Sequence, residues 1–359
     1  MIILAFESSC DETSVAVVER KRGGFCVRSN IVASQIATHR LYGGVVPEIA
    51  SRAHIEAISQ ITYEALEKAG VELSEIDLVA VTANPGLIGA LLVGVNYAKA
   101  IAIANGIPLV GVDHIKGHVA ASYLCSDKEA PKPPFIAFAA SGGHTSIYLV
   151  TGYTDYTEIG STRDDAIGES YDKIGRIIGI PYPAGRGFDE LSTEGFINAT
   201  SDKERFYEKY KKSSAFSDFN LPSPALHDGS LDFSFSGLKT AAINLLHKYE
   251  MRGEEIDRAA FAAKYTYEAT EAVVRQLSLA LERYPDMPLV AAGGVTANSH
   301  LRRELCALAK RCSVNLYIPK IEYCGDNAAM IAAQGYYDYK SGVTHDSSLN
   351  ASAEDSITR

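Results

Sequence analysis

The chain carries one short pattern twice. Residues 5–18 read AFESSCDETSVAVV and residues 137–150 read AFAASGGHTSIYLV. At a constant offset Ala5 aligns with Ala137, Phe6 with Phe138, Ser9 with Ser141, Thr13 with Thr145, Ser14 with Ser146 and Val18 with Val150. Each copy is an apolar strand, a tight turn of small and polar residues, and a second apolar strand, which is the signature of a β-hairpin. Such a turn presents backbone N–H groups and hydroxyls and makes a nest for an anion. Two of them at equivalent places predict a duplicated domain with a phosphate held between its halves. On these residues alone, two unrelated hairpins with Ser/Thr turns would look alike.

At 359 residues the chain is too long for one small core and suits two domains. Apolar residues make up 47% and charged residues 22%, which speaks against disorder and against a membrane protein. The N-terminus enters a strand at once, so no signal peptide is expected. The longest apolar stretch, Leu87 to Ala104, contains Asn96 and Lys99 and reads as a buried helix, with no membrane association. Six cysteines (Cys10, Cys26, Cys125, Cys306, Cys312, Cys324) are scattered without a Cys-x-x-Cys pair, as expected of reduced thiols in a cytoplasmic protein. A net charge of −10 excludes a general nucleic-acid binder; any RNA contact needs a local basic patch or a partner's help.

Hydrophobic patterning predicts strands at 2–6, 14–19 and 25–34, a helix from Glu48 to Gly70, a strand at Leu78 to Thr82, a helix from Leu87 to Asn105 and a strand at Pro108 to Val112. The polar, proline-bearing stretch Ser126 to Pro134 then joins two halves, placed at 1–130 and 131–325. The second half restarts with the repeated hairpin, followed by a helical region at Asp164 to Ile178 and a Gly/Pro-rich loop at Pro181 to Gly187. Residues 189–235 read as an irregular insertion. Beyond it come a helix at Asp257 to Tyr284, a strand at Leu289 to Ala292, a helix at Ser299 to Arg311, a strand at Val314 to Tyr317 and a last helix within 326–340, expected to pack back on the first half. Residues 342–359 read as a frayed, flexible tail.

Four places can carry chemistry. In Val112-Asp113-His114-Ile115-Lys116-Gly117-His118, two histidines stand at i and i+4, on one helix face about 6 Å apart, a spacing that suits one metal ion. A zinc protease would need Glu after the first His, and that position is Ile115. On spacing alone the pair also fits two histidines that cap the preceding strand by hydrogen bonds. Ser141-Gly142-Gly143-His144-Thr145 is a turn whose glycines let a ligand approach the backbone, or an ordinary hairpin turn. Ala292-Gly293-Gly294-Val295-Thr296-Ala297-Asn298 leads into a helix whose N-terminal N–H groups can meet an anion. Asp326 opens the final helix, either as its N-cap or as a third metal ligand completing a His-His-Asp set.

Taken together these residues resemble the TsaD family of tRNA N6-adenosine threonylcarbamoyltransferases, related to the archaeal and eukaryotic Kae proteins. The resemblance spans Ile3 to about Gly335 and rests on nine ordered blocks: FESSCDETSVAVV, HRLYGGVVPEIASRAH, NPGLIGALLVG, HIKGHVAA, SGGHTSI, ESYDKIGRIIGIPYPAG, FSFSGLKTA, AGGVTANSHLR and CGDNAAMIAA. It implies an α/β, actin-like, Hsp70-like and sugar-kinase-like fold with two RNase-H-like halves around a nucleotide cleft. It implies transfer of a threonylcarbamoyl group from threonylcarbamoyl-adenylate to N6 of the adenosine 3′ of the anticodon in ANN-decoding tRNAs, with release of AMP. ATP, ADP or AMP would also fit the cleft.

By position, the resemblance makes His114, His118 and Asp326 ligands of one iron or zinc ion per subunit. It makes Ala139, Ala140, Ser141, Gly142 and Gly143 the nucleotide and phosphate stretch, with Asp172, Gly185, Asp189 and Asn298 around ribose and adenine. Asp11 and Glu12 are the candidates for steering the amine or its proton. Two departures touch Gly185 and Ala139: the loop reads Pro183-Ala184-Gly185-Arg186 where Pro-Gly-Gly-Pro is common, and Ala139-Ala140 stands where Leu-Val is common. The implied partners are tRNA, a TsaB-like paralogue, a TsaE-like ATPase and a TsaC-type synthase that makes the donor. The helix from Ile49 to Leu66 serves such an interface or packs in the core. Lys173, Arg176, Arg186 and Lys239 are candidate phosphate contacts. The rivals are an ATP-hydrolysing or kinase-like enzyme of the same fold, which has no need of HIKGH, and a non-catalytic nucleotide-binding partner, which has no need of a metal triad.

Overall fold

The computed structural model describes residues 1–124, 129–200, 219–226 and 228–357. In the first half, strands β1 (Ile2–Glu7), β2 (Glu12–Lys21), β3 (Gly24–Ser34), β4 (Leu78–Asn84) and β5 (Leu109–Asp113) form one sheet in the order β3-β2-β1-β4-β5. In the second, β6 (Phe135–Ala140), β7 (Thr145–Val150), β8 (Tyr156–Ser161), β9 (Leu289–Ala292) and β10 (Leu316–Tyr317) form another in the order β10-β9-β6-β7-β8. The two lists superimpose strand for strand: three antiparallel strands, then two parallel ones on the far side of the first strand. The repeat extends to register. Phe6 faces Val15 as Phe138 faces Ile147, and Ala5 faces Ala16 as Ala137 faces Tyr148. The duplicated pattern of the sequence is therefore a duplicated domain.

The described helices are α1 (Ile36–Arg40), α2 (Pro47–Ala69), α3 (Ile88–Asn105), α4 (His114–Ala120), α5 (Ile167–Ile177), α6 (Gly185–Thr200), α7 (Phe235–Arg252), α8 (Arg258–Arg283), α9 (Ser299–Cys312) and α10 (Ala328–Lys340). Central strands covered on both faces read as unbroken apolar runs, and β1 and β6 do so because each splits its side chains between two cores. Leu4 and Phe6 join the outer core made with α2 and α3, while Ile136 and Phe138 join the outer core made with α8 and α9. Ile3 and Ala5 meet Phe135 and Ala137 in a shared inner core filled by α4 and by Ala328 to Ala333 of α10. The last helix thus lies on the first sheet, against β1, β2, β4 and β5. Of the described helices only α3 is long and apolar enough to cross a membrane; here Ala90, Leu91, Gly94, Val95, Ala98 and Ala102 are buried against the sheet and α2.

The structure adds α1, β8 and α7, which the sequence reading left unassigned, and departs from it at α6 and at the tail. The first part of 189–235 is not irregular: α6 runs on to Thr200, and residues 201–218 lie outside the described residues. Phe188, Ser192 and Phe196, at helical spacing, bury against α8, and this packing overrides a composition rich in Gly, Ser and Thr. The tail, expected to fray, packs along the open edge of β5. His345 pairs with Leu109, its Nδ1 accepts from the Gly111 N–H at 3.1 Å, and Ser352 N–H donates to the Ala83 carbonyl oxygen at 2.9 Å. An exposed strand edge leaves N–H and C=O groups unpaired, and the tail satisfies several of them.

Candidate metal centre and nucleotide cleft

Asp113 ends β5 and caps α4, its Oδ1 accepting from the N–H groups of Ile115 and Lys116 at 2.9 and 3.1 Å. The cap starts the helix at His114 and so puts His118 one turn further on, the two ring centroids 4.5 Å apart. Asp326 arrives from the far end of the chain. The N-cap of α10 is its neighbour Asn327, whose Oδ1 accepts from Met330 N–H at 3.1 Å, and this releases the Asp326 carboxylate toward α4. Asp326 Oδ1 lies 3.3 Å from His118 Nε2 and 3.6 Å from His114 Nε2.

These residues fit a metal ion. His118 is 1% exposed; among the described residues its Nδ1 has no hydrogen-bond partner and its Nε2 meets only the Asp326 carboxylate at 3.3 Å, an unusual state for a buried imidazole unless something else binds it. One ligand atom from each of the three residues lies within 4.8 Å of the others. Tetrahedral ligands at about 2.0–2.1 Å from zinc stand roughly 3.3 Å apart, close to the separations seen.

Behind His114 stands Glu7, a residue that the sequence reading passed over. Its Oε2 lies 3.0 Å from His114 Nδ1 and accepts from Thr82 Oγ1 at 2.5 Å; its Oε1 accepts from Ser9 N–H at 2.5 Å. Burial by itself would depress the His114 pKa, but the Glu7 and Asp326 carboxylates outweigh it and raise it to about 9. Asp326 is held well below the usual carboxylate range: burial opposes ionisation, but His114 and His118 prevail. His144, in the second hairpin turn, is pushed down to about 4 by burial and by its nearness to His114 and His118. The sign that could have revealed Glu7 was a carboxylate at the end of a strand otherwise apolar throughout.

The two hairpin turns sit at matching places. A Cβ on Gly86, after β4, would lie 2.7 Å from the Ser9 carbonyl oxygen; one on Gly293, after β9, would lie 2.3 Å from that of Ala140. Only glycine allows this approach, and Gly293 also has a φ of 90°. Ala139 and Ala140 are buried in β6, Ser141 N–H bonds back to the His144 carbonyl oxygen, and Gly142 and Gly143 are exposed at the turn.

Asp172, on α5, accepts from Ala184 N–H at 2.7 Å, and burial raises its pKa to about 6. Gly185 opens α6 and is exposed. Asp189 accepts from both Ser299 N–H and Ser299 Oγ at 3.0 Å and so ties α6 to α9. Asn298 caps α9 through Oδ1, which accepts from His300 and Leu301 N–H groups. Asp11 Oδ2 accepts from Tyr182 Oη at 3.2 Å, a bond that crosses between the halves. Glu12 accepts from Ser34 Oγ at 3.3 Å; burial, with Asp326 and Asp11 nearby, raises its pKa to about 8.

Two like-built halves, each with its hairpin turn, and a His-His-Asp group define a protein of the actin-like, Hsp70-like and sugar-kinase-like fold. The HypF protein of T. kodakarensis shares that fold at a TM-score of 0.53 and 11% identity, over 95% of this chain and 48% of HypF. Component A of the Acidaminococcus fermentans (R)-2-hydroxyglutaryl-CoA dehydratase shares it at 0.50 and 13% identity, over 96% of this chain and all of that one. Sequence comparison is more specific. The family model for TsaD, tRNA N6-adenosine threonylcarbamoyltransferase, matches residues 26–333, and the chain belongs to that family. The transferase of that name from Limosilactobacillus fermentum is 46% identical over 352 residues, 98% of this chain and 95% of its own. That from Geobacillus thermodenitrificans is 46% identical over 350 residues, 97% of this chain and 95% of its own.

Proposed function

We infer that this chain is an acyltransferase of tRNA modification: it moves the threonylcarbamoyl group of threonylcarbamoyl-adenylate to N6 of the adenosine 3′ of the anticodon in ANN-decoding tRNAs and releases AMP. The observation that carries this reading is the match, along nearly the whole chain, to curated transferases of that activity. An adenine amine is a weak nucleophile and the donor is already activated, so the protein's task is to position the two and to stabilise developing charge. The N6–carbon bond forms, the carbon–oxygen bond to phosphate breaks, and one N6 proton is lost.

In this reading the turns at Ser9 to Thr13 and Ser141 to Thr145 hold the donor's phosphate through backbone N–H groups. Asp172, Gly185, Asp189 and Asn298 fix its ribose and adenine, and Asp11 and Glu12 orient the amine and take its proton. His114, His118 and Asp326 would hold an iron or zinc ion, which supplies a Lewis acid for donor oxygens when bound. Glu7 keeps the His114 ring turned so that Nε2 faces the ligand group. The partners assigned are a TsaB-like paralogue, a TsaE-like ATPase and a TsaC-type synthase. Ile55 and Tyr63 of α2, exposed while Ile58 and Ile61 are buried, give one face to the core and one to such a partner.

The test is reconstitution: purified chain, threonylcarbamoyl-adenylate and unmodified ANN-decoding tRNA, with nucleoside mass analysis. Modified adenosine, with or without added partners, is the expected result. No product with cognate partners present, beside ATP turnover by the chain alone, would favour the kinase-like alternative.

A further inference from the structure

The four basic residues singled out from the sequence do not fare alike. Lys173 pairs with Asp165 and Glu169 at 3.1 and 2.8 Å, Lys239 pairs with Asp165, and Arg186 pairs with Glu190 at 2.9 Å. Arg176, exposed on α5, has no carboxylate partner among the described residues. A second arginine from the other half joins it. Arg40, at the end of α1, spends its Nε on the Tyr182 carbonyl oxygen at 3.0 Å and has no carboxylate partner among the described residues either. Together they line a cavity of about 310 Å³ with Tyr42, Gly43, Asp172 and Tyr182. That is near the lower end of ligand-sized pockets, about 300–1,000 Å³.

The cavity is built from both halves. Gly43, at a φ of 73°, lies against the Arg176 guanidinium, where a Cβ would come within 3.1 Å of Cζ. Tyr42 stands 56% exposed at the rim beside Leu41 at 83%, an apolar and aromatic surface that costs free energy in water and can stack on a base. Tyr182 forms a wall whose hydroxyl reaches Asp11, so the pocket opens beside the carboxylates assigned to the amine. Asp172, assigned above to the donor's ribose, lines the cavity too. In a chain of net charge −10, two guanidinium groups without carboxylate partners among the described residues, beside exposed aromatic surface, call for an anionic ligand that also carries a flat ring.

We propose that the Arg40–Arg176 pocket seats the phosphodiester backbone of the acceptor RNA next to the adenosine being modified, with Tyr42 as its stacking surface. The inference rests on the transferase reading and adds to it the residues that receive the RNA. Arginine forks pair with phosphate oxygens bidentately, so this pair fixes the register of the anticodon loop while the base reaches Asp11.

The experiment compares wild type, Arg40→Ala/Arg176→Ala and Arg40→Lys/Arg176→Lys, each checked for an unchanged thermal midpoint. The probes are an anticodon stem-loop RNA with unmodified adenosine, read by fluorescence anisotropy, and AMP, read by calorimetry. The alanine pair should weaken RNA binding about tenfold or more and reduce the slope of log affinity against log salt by about 1.4, the value for two single-strand phosphates. AMP affinity should stay within about twofold, and the lysine pair should recover most of the RNA affinity, because charge is kept and only the fork is lost. Unchanged RNA affinity in the alanine pair, or an equal loss for AMP, would overturn the proposal, the latter assigning the pocket to the donor. Wild-type chain that binds the stem-loop through these arginines but makes no modified adenosine with all partners present would instead overturn the transferase reading.

Discussion

Glu7 Oε2 and His114 Nδ1 stand 3.0 Å apart, a carboxylate from the end of the first strand set behind a histidine at the start of the α4 helix. The contact fixes which ring nitrogen is free: with Nδ1 turned to Glu7, Nε2 points at Asp326 and His118. In its first copy the duplicated hairpin therefore also orients a member of the His-His-Asp group.

Glu7→Gln keeps the shape of the side chain and removes the charge that fixes and strengthens His114 as a ligand. We expect metal affinity to fall about 10–100-fold, as found when such supporting carboxylates are lost. Competition with a chelator followed by metal analysis reads this directly, and an affinity equal to wild type would show that Glu7 only fills space.

His114→Ala with His118→Ala should abolish bound metal and transfer while the protein stays folded, because the inner core around α4 is made by Ile115, Val119 and Ala120. Metal content, circular dichroism and the transfer assay check the three statements separately. Full activity in the metal-free double variant would remove the ion from the mechanism.

Asp172 is raised by burial from 3.8 to about 6. An acid raised in the folded state binds its proton more tightly there than in the unfolded chain, so its contribution to stability improves as pH falls from about 6 toward 4. In the proposed role ligand binding moves the other way: the ionised carboxylate is the better acceptor for a ribose hydroxyl, so the affinity for adenosine, which has no phosphate to titrate, should drop as pH falls through 6. Calorimetry with adenosine between pH 5 and 8 should show that step in wild type and not in Asp172→Asn.

Leu349 of the C-terminal segment is 8% exposed, packed against Gly111 of β5, where a Cβ would come within 2.7 Å of its Cδ1, and it joins the outer core with Ala83 and Leu109. Leu349→Ala should cost about 2 kcal/mol, the low end for a buried leucine. A lowered denaturant midpoint together with faster amide exchange at Leu109 and Gly111 is the expected readout; a change within about 0.5 kcal/mol would mean the segment is loosely held.

Much of this architecture was legible because it is written locally. The β1–β2 and β6–β7 hairpins are alternations and turns of a dozen residues, and the His114/His118 spacing is a property of one helical turn. The first turns of α6 were not legible: Gly185-Arg186-Gly187 reads as loop, and what holds it as helix is the burial of Phe188 and Phe196 against α8, more than sixty residues on. The tail failed for the same reason, since its polar sequence finds bonding partners only at the edge of β5.

The sequence by itself determined the duplicated hairpin, most of the strands and long helices, and the one-turn spacing of His114 and His118, because each follows from short-range periodicity and residue chemistry. Tertiary structure decided that Asp326 rather than Asn327 is freed from capping, that Glu7 stands behind His114, and that Arg176 is left without a carboxylate partner among the described residues while Lys173 and Lys239 are paired. Those outcomes depend on distances between segments far apart in the chain, and such distances are set only when the two sheets close on their shared core.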